Sequence, residues 1–287
     1  MADLNSADGS NEFIQRGDRR RARGGLPMFV RSGTDGVLPG SNYFLDLADE
    51  TERAVRMSAR GWRVVERPAV GFIRPKGLLP LPLPARNGSI DLLRSYLNLS
   101  SREFRRAVVW LVSALLPGEP HPILIVRGAE GTAKSTTANV LKALIDPHRK
   151  AIQFVPESAR HDIPSKGDRW VLAYDDVGEV PNWFCDALDR MVRGPKLDPS
   201  REPSTQTLMT RLRARPVILS GVESLGEPTG LTPISISLNV RPILFDHRRA
   251  EHEFWESFEA DRARILGGLL DVLVEGLALA QARRRPA

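Results

Sequence analysis

The run Gly128-Ala129-Glu130-Gly131-Thr132-Ala133-Lys134-Ser135-Thr136 has the residue types and spacing to hold a chain of phosphates. Glycines let main-chain N–H groups close on an anion, and the first turn of a following helix adds positive potential. Lys134 would reach the β- and γ-phosphates and the Ser135 hydroxyl would ligate a divalent cation, so the expected ligands are ATP and Mg²⁺. The strict phosphate-loop pattern places Gly directly before the lysine, and this chain has Ala133 there.

Two further segments could complete the site. Trp170-Val-Leu-Ala-Tyr174 is an apolar run closing on Asp175-Asp176. A strand ending in a carboxylate presents oxygen at a sheet edge, so Asp175 is expected to hold Mg²⁺, directly or through water. Asp176 stands where many ring-forming ATPases place the Glu that polarises attacking water, one methylene shorter. Arg215-Pro-Val-Ile-Leu219 leads into Ser220-Gly221, the position of a γ-phosphate sensor that is usually Asn. The plainer readings are a strand closing in a polar turn and an ordinary Ser-Gly turn. Arginines that could stabilise charge on a transferred phosphoryl group, often in a neighbouring subunit, are Arg201, Arg211, Arg213, Arg215 and Arg241. Arg201 and Arg215 lead by position, between the acidic strand and the sensor strand. His121, His148, His161, His247 and His252 lack metal-ligand spacing and read as surface residues.

The elements that must position these groups are legible from hydrophobic periodicity. Ile123 to Val126 follow Pro122 as a strand buried on both faces. After the loop, Ala138, Leu141, Ala143, Leu144 and Ile145 recur at helical spacing until Pro147. Alternation of strand and helix from here predicts an α/β fold with a mainly parallel sheet, a P-loop NTPase core of AAA+-like type over 89–249. Upstream, Ser89 caps a first helix bearing Leu92, Leu93, Tyr96 and Leu97. A second begins near Ser101 and buries Phe104, Ala107, Val108, Leu111, Val112 and Leu115 before Pro117-Gly118. Residues 26–75 read as a small β-rich element with strands at Met28–Val30, Tyr43–Leu45 and Trp62–Val65. The proline-rich stretch 76–88 reads as an extended linker, and 250–287 as a C-terminal helical cap with a basic tail. Residues 1–25, polar and rich in Gly and Arg, read as a disordered basic tail.

Composition sets the class. The chain has 287 residues, a formal net charge of +6 and clusters at Arg19-Arg20-Arg21, Arg211/Arg213/Arg215 and Arg283-Arg284-Arg285, which favour contact with nucleic-acid phosphates. Cys185 is the only cysteine, so no intrachain disulfide and no cysteine-cluster zinc site is expected. The start lacks the basic and apolar regions of a secretory signal, and no uninterrupted apolar stretch reads as long enough to cross a bilayer. The expectation is a cytoplasmic protein without membrane attachment.

With these residues placed, the chain resembles a family of bacterial and phage mobile-element ATP-binding proteins. It is similar to the ATPase region of primase-helicases of the superfamily-three or poxvirus/phage type. The resembling stretches are Tyr43-Phe-Leu-Asp-Leu-Ala-Asp49, Gly61-Trp-Arg-Val-Val65, Arg74-Pro-Lys-Gly-Leu-Leu-Pro80, Gly128–Ser135, Trp170–Asp175, Pro181-Asn-Trp183, Asp186-Ala-Leu188 and Arg215–Gly221. The resemblance implies tolerance of Ala before the loop lysine. It also implies an ATPase that assembles as a homo-oligomer, a ring being one form open to it, and pulls on single-stranded or forked DNA beside a primase or other replication partner. The chain departs from the pattern at Ser220, where relatives carry Asn, and over Leu231–Leu238, where they carry an arginine. Two other readings stay open: a nucleotide-binding switch or scaffold with little hydrolysis, and a P-loop kinase whose lid is the Arg- and Pro-rich stretch 193–215.

Overall fold

The computed structural model describes residues 29–32, 42–68, 70–72, 74–117, 120–155, 169–178, 180–193, 214–221 and 235–283. Two sheets organise them. Strands β1 (Phe29–Ser32), β2 (Asn42–Asp46), β3 (Arg53–Ser58) and β4 (Gly61–Glu66) form an antiparallel sheet in sequential order. Strands β5 (Ile123–Arg127), β6 (Gln153–Phe154), β7 (Leu172–Asp175), β8 (Val217–Ser220) and β9 (Ser235–Asn239) form a parallel sheet in the order β6-β7-β8-β5-β9. Helices α1 (Ser101–Ala114), α2 (Lys134–Ile145), α3 (Asn182–Arg193) and α4 (Glu251–Arg283) surround it. The α/β expectation therefore holds, with the small β element, parallel sheet and C-terminal helix in the anticipated order. The basic tail 1–25 lies outside the described residues.

Local sequence explains most boundaries. The cap of α1 is Ser100, one residue before the expected start, in a reciprocal pair: Glu103 N donates to Ser100 Oγ at 3.2 Å and Ser100 N to Glu103 Oε2 at 3.3 Å. Such a cap contributes about 1 kcal/mol. Ser89 caps as expected, accepting from Asp91 N, but the segment it starts, Ile90–Tyr96, is a 3₁₀ helix. The C-terminal cap is one continuous helix, α4, which runs through Gly267 and Gly268 without interruption.

The central strands β7, β8 and β5 are buried on both faces, as parallel strands require. Leu124, Val126, Ala173 and Ile218 join a large core with Phe104, Trp110, Leu141, Phe258, Leu266 and Leu270. Ile123, Ile125, Leu172, Tyr174 and Leu219 face Phe184, Leu188 and Val192 of α3. The antiparallel sheet contributes Tyr43, Leu45, Val55, Met57 and Trp62 to the larger core, and Trp62 Nε1 donates to Asp271 Oδ1 of α4 at 2.7 Å. It is thus packed onto the rest of the molecule.

The proline-rich stretch is a bonded strap, not a free linker. Leu79 N donates to Pro147 O at 3.0 Å, Leu81 N to Leu47 O at 2.9 Å, Ala85 N to Ala263 O at 2.9 Å and Ser89 N to Arg264 O at 3.1 Å. Gly267 and Gly268 admit it: a Cβ on the first would overlap the Ala85 carbonyl, and on the second the Ile90 nitrogen. Prolines lack the N–H that would seek a sheet partner, so the strap stays extended while its other residues bond across to both neighbours.

Helix α4 bears on the membrane expectation, although Asp271 and Glu275 interrupt its apolar run. It is long and apolar enough to cross a membrane by length and composition, with a mean hydropathy of 1.6 over its most apolar window. Phe258, Ile265, Leu266, Leu269, Leu270 and Leu273 are buried in the core, which accounts for that apolar character.

Lys142, Asp146 and His121 are buried polar residues. Lys142 Nζ donates to Asp146 Oδ2 at 2.5 Å and to Val171 O at 2.7 Å, tying the end of α2 to the start of β7. Burial pushes the Lys142 ammonium below its usual range, against the pull of Asp146. His121, read as a surface residue, is 2% exposed and meets Trp170 edge-on at 5.6 Å. His148 is half-buried, with Nε2 3.1 Å from Lys76 O. His161 lies outside the described residues.

Candidate functional site

The site is built at one edge of the parallel sheet. Register pairs Val126 with Ser220 and Leu219 with Tyr174, so the ends of β5, β8 and β7 emerge together. β8 lies between the loop-bearing strand and the acidic strand, which sets Ser220 between the loop and Asp175.

After β5 the chain makes the strand–loop–helix connection that the motif needs. Gly128 has φ 154°, and a Cβ there would meet Thr132 Oγ1 at 2.6 Å and Val240 O at 2.8 Å. Gly131 has φ 74°. Ala133, directly before the lysine, sits at φ 65° and ψ 37° in the left-handed region. That is the conformation for which the strict pattern uses Gly, and holding Ala in it costs about 1–2 kcal/mol. The loop retains its turn despite the substitution. Thr132 is buried and its Oγ1 donates to Ala129 O at 2.9 Å. Ala129, Glu130 and Gly131 form the exposed rim. Lys134 opens α2, and its Nζ donates to Ala129 O at 2.8 Å across the loop mouth. Ser135 and Thr136 follow in the first turn, half-buried.

On the acidic strand, Asp175 is half-buried and accepts from Ser220 Oγ at 2.5 Å through Oδ1. Ser220 is fully buried, and its hydroxyl also lies 3.3 Å from Tyr174 O. A hydroxyl has one proton, and here it is directed at the carboxylate. In this arrangement Ser220 orients Asp175 and does not point a donor toward a γ-phosphate. Asp176 is exposed, with φ 52°, in a region that Asp tolerates better than most residues. Val177 N donates to Ser220 O at 3.0 Å and fixes this turn.

The arginine expectations fare differently. Arg201, Arg211 and Arg213 lie outside the described residues. Arg215 precedes β8, at the sheet edge opposite the loop, is 8% exposed and donates from Nη1 to Arg169 O at 2.9 Å. Its guanidinium is thus buried away from the loop edge of the sheet in this arrangement. Arg241 follows β9 at the loop edge, where Arg241 N donates to Asn98 O at 3.1 Å.

Sequence reasoning missed Arg248. Its Nη2 lies 3.5 Å from where a Cβ on Gly131 would stand, which brings a guanidinium to the rim of the loop. The only signal was the Arg248-Arg249 pair before the C-terminal helix, and nothing in sequence spacing joins it to residue 131. Arg248 also lines a cleft of about 740 Å³ with Gly131, Ala133, Thr136, Tyr96 and Phe254. That size suits a small-molecule ligand. The aromatic wall is fixed: Tyr96 meets Phe254 edge-on at 5.6 Å and Phe258 at 5.3 Å. Tyr96 Oη, with a single proton to donate, lies 2.7 Å from Ser257 O and 2.8 Å from Asp261 Oδ2. Burial, and then that bond to Asp261, push the phenol to about 12.

Ser135 and Asp175 supply hard oxygen donors, the chemistry that Mg²⁺ selects, and Mg²⁺ usually takes only one or two protein ligands besides phosphate and water. Ser220 occupies Asp175 Oδ1, so a cation would be met by Oδ2. Among the described residues no cluster of three or more His, Cys, Asp or Glu could hold a metal alone.

No curated protein matches the chain. Among solved structures, the apo C-terminal region of NrS-1, residues 305–718, is similar at 9% identity and a TM-score of 0.45, over 85% of this chain and 72% of that one. NtrX from Brucella abortus in complex with ADP is similar at 15% identity and a TM-score of 0.27, over 69% and 56%. Neither likeness is close enough to carry a function. The family described as actinomycete integrative conjugative element replication protein matches residues 90–284, about two thirds of the chain and all of the site. The chain belongs to that family of mobile-element replication proteins.

Proposed function

We propose that this replication protein binds ATP with Mg²⁺ at the Gly128–Thr136 loop and hydrolyses it while acting on DNA. The observation that carries the reading is the loop itself: two glycines and Ala133 at positive φ, Lys134 at the helix start, and a roomy cleft opening beside it. Main-chain N–H groups of 129–134 and the N-terminus of α2 would surround the β-phosphate, with Lys134 moving from Ala129 O to the phosphates. Ser135 and Asp175 would hold Mg²⁺, which neutralises charge on the phosphates. Asp176, exposed beside Asp175, would accept the proton of attacking water. Arg248 would lie against the γ-phosphate from the same chain. Tyr96 and Phe254 would wall the base.

The DNA-acting part rests on membership of a replication family and on the net charge of +6. A homo-oligomer in which a neighbour adds a further arginine fits the same reading. The test is ATP turnover with and without single-stranded DNA: turnover that DNA raises and that Lys134→Ala lowers to background is expected. Turnover no higher than that of Lys134→Ala would overturn hydrolysis.

One observation favours a second reading, a nucleotide-dependent switch with little turnover: Ser220 spends its proton on Asp175, leaving no sensor donor on β8. Tight ATP binding, negligible turnover and a change in oligomer size between ADP and ATP would support it. An unchanged elution volume would count against it.

A further inference from the structure

The antiparallel sheet turns its outer face away from the core, and one row across that face has an unusual composition. Register sets Phe44 opposite Arg56, and Arg56 opposite Arg63. Neighbouring strands lie about 4.8 Å apart, so Phe44, Arg56 and Arg63 leave the sheet from one row on the same face. Like charges directly opposite on adjacent strands are destabilising. Neither Arg56 nor Arg63 has an ion pair among the described residues, although acidic partners bind Arg53, at Asp49, and Arg74, at Asp46, on the same small unit. Arg56 is held in place: its Nε donates to Asn42 Oδ1 at 2.8 Å, and among the described residues neither terminal nitrogen has an acceptor. Arg63 is exposed, Phe44 and Arg56 are half-buried, and exposed Arg60 sits in the adjoining β3–β4 turn. The row lies outside the residues 90–284 that carry the family match, so family membership does not account for it.

We infer that this row is a binding platform for single-stranded DNA, with Phe44 stacking on a base and Arg56 and Arg63 holding successive phosphates. Among the described residues no carboxylate neutralises the opposed Arg56 and Arg63, whereas a polyanion would. A stacking ring requires an unpaired base, which a single strand offers and a closed duplex does not. The inference rests on the DNA-acting reading of the chain but not on ATP binding.

The test is fluorescence anisotropy of a labelled oligothymidine with the full chain, without nucleotide, across a salt series. Each lost phosphate contact on a single strand lowers the slope of log affinity against log salt by about 0.7. The double variant Arg56→Gln/Arg63→Gln is expected to lose about tenfold in affinity and about 1.4 in slope, at an equal or higher melting temperature. Phe44→Leu, which keeps an apolar residue and removes the ring face, is expected to weaken binding with the slope unchanged. An unchanged affinity and slope in the folded double variant would overturn the inference, and so would equal binding of a duplex of the same length. Because nucleotide is absent, a failed ATP site leaves this result unaffected.

Discussion

At Ser220 a single hydroxyl decides what β8 contributes. The sequence pattern pointed to a sensor; the geometry shows a buried donor fixed on Asp175 at 2.5 Å. A hydrogen bond to a charged group is worth about 1.5–3 kcal/mol, so Ser220→Ala is expected to lower turnover about tenfold or more by releasing the carboxylate, while ATP affinity changes less. Steady-state kinetics separating kcat from KM checks this, and an unchanged kcat would remove Ser220 from the site. His121 gives a pH signature. Burial pushes its imidazole from 6.5 down to about 4, against the pull of nearby main chain at Ser113 and Ala214. The folded chain therefore refuses a proton that the unfolded chain takes up below pH 6.5. Its contribution is fully present above that value and is lost as pH falls toward 4, by on the order of 3 kcal/mol. His121→Phe, which keeps a ring against Trp170, is expected to flatten the stability profile in that window, as measured by denaturant unfolding at several pH values. Neither fact was legible in sequence, because burial of a lone His and the direction of a hydroxyl are set by residues far away in the chain.

Elements with strong periodicity were legible and those made by long-range contact were not. β5, the loop and α2 follow from four aliphatic residues, a glycine loop and apolar recurrence at helical spacing. β3 was missed: in Arg53-Ala-Val-Arg-Met-Ser the outer-face Ala54 is as buried as Val55, and that blurs the alternation. The strap was read as a linker because its prolines are visible in sequence and its bonds to Leu47, Pro147 and Ala263 are not. The two glycines that seat it on α4 give a sharp contrast. Gly267→Ala pushes a Cβ into the Ala85 carbonyl and is expected to destabilise the protein by more than about 3 kcal/mol or prevent soluble expression. Gly276→Ala meets nothing within 4 Å and is expected to stabilise by about 0.5–1 kcal/mol through helix propensity alone. Thermal unfolding of the pair checks both; equal effects would mean that the strap does not hold α4.

At the scale of the whole molecule, the antiparallel sheet, strap, α4 and loop-bearing core share one hydrophobic interior. That continuity gives the cleft its form: α4 brings Phe254, the strap leads into Tyr96, and the chain between β9 and α4 brings Arg248 to the loop. The loop half of the candidate site was readable because it is contiguous in sequence, and the half beside the cleft was not, because three separated segments assemble it. The central claim is that ATP binds where these parts meet, and isothermal titration of ATP with and without Mg²⁺ tests it most directly. Binding that Mg²⁺ strengthens, that Asp175→Asn makes insensitive to Mg²⁺, and that Lys134→Ala weakens at least about tenfold is the expected result. Equal ATP affinity in the parent and Lys134→Ala, or no binding by either, would contradict it.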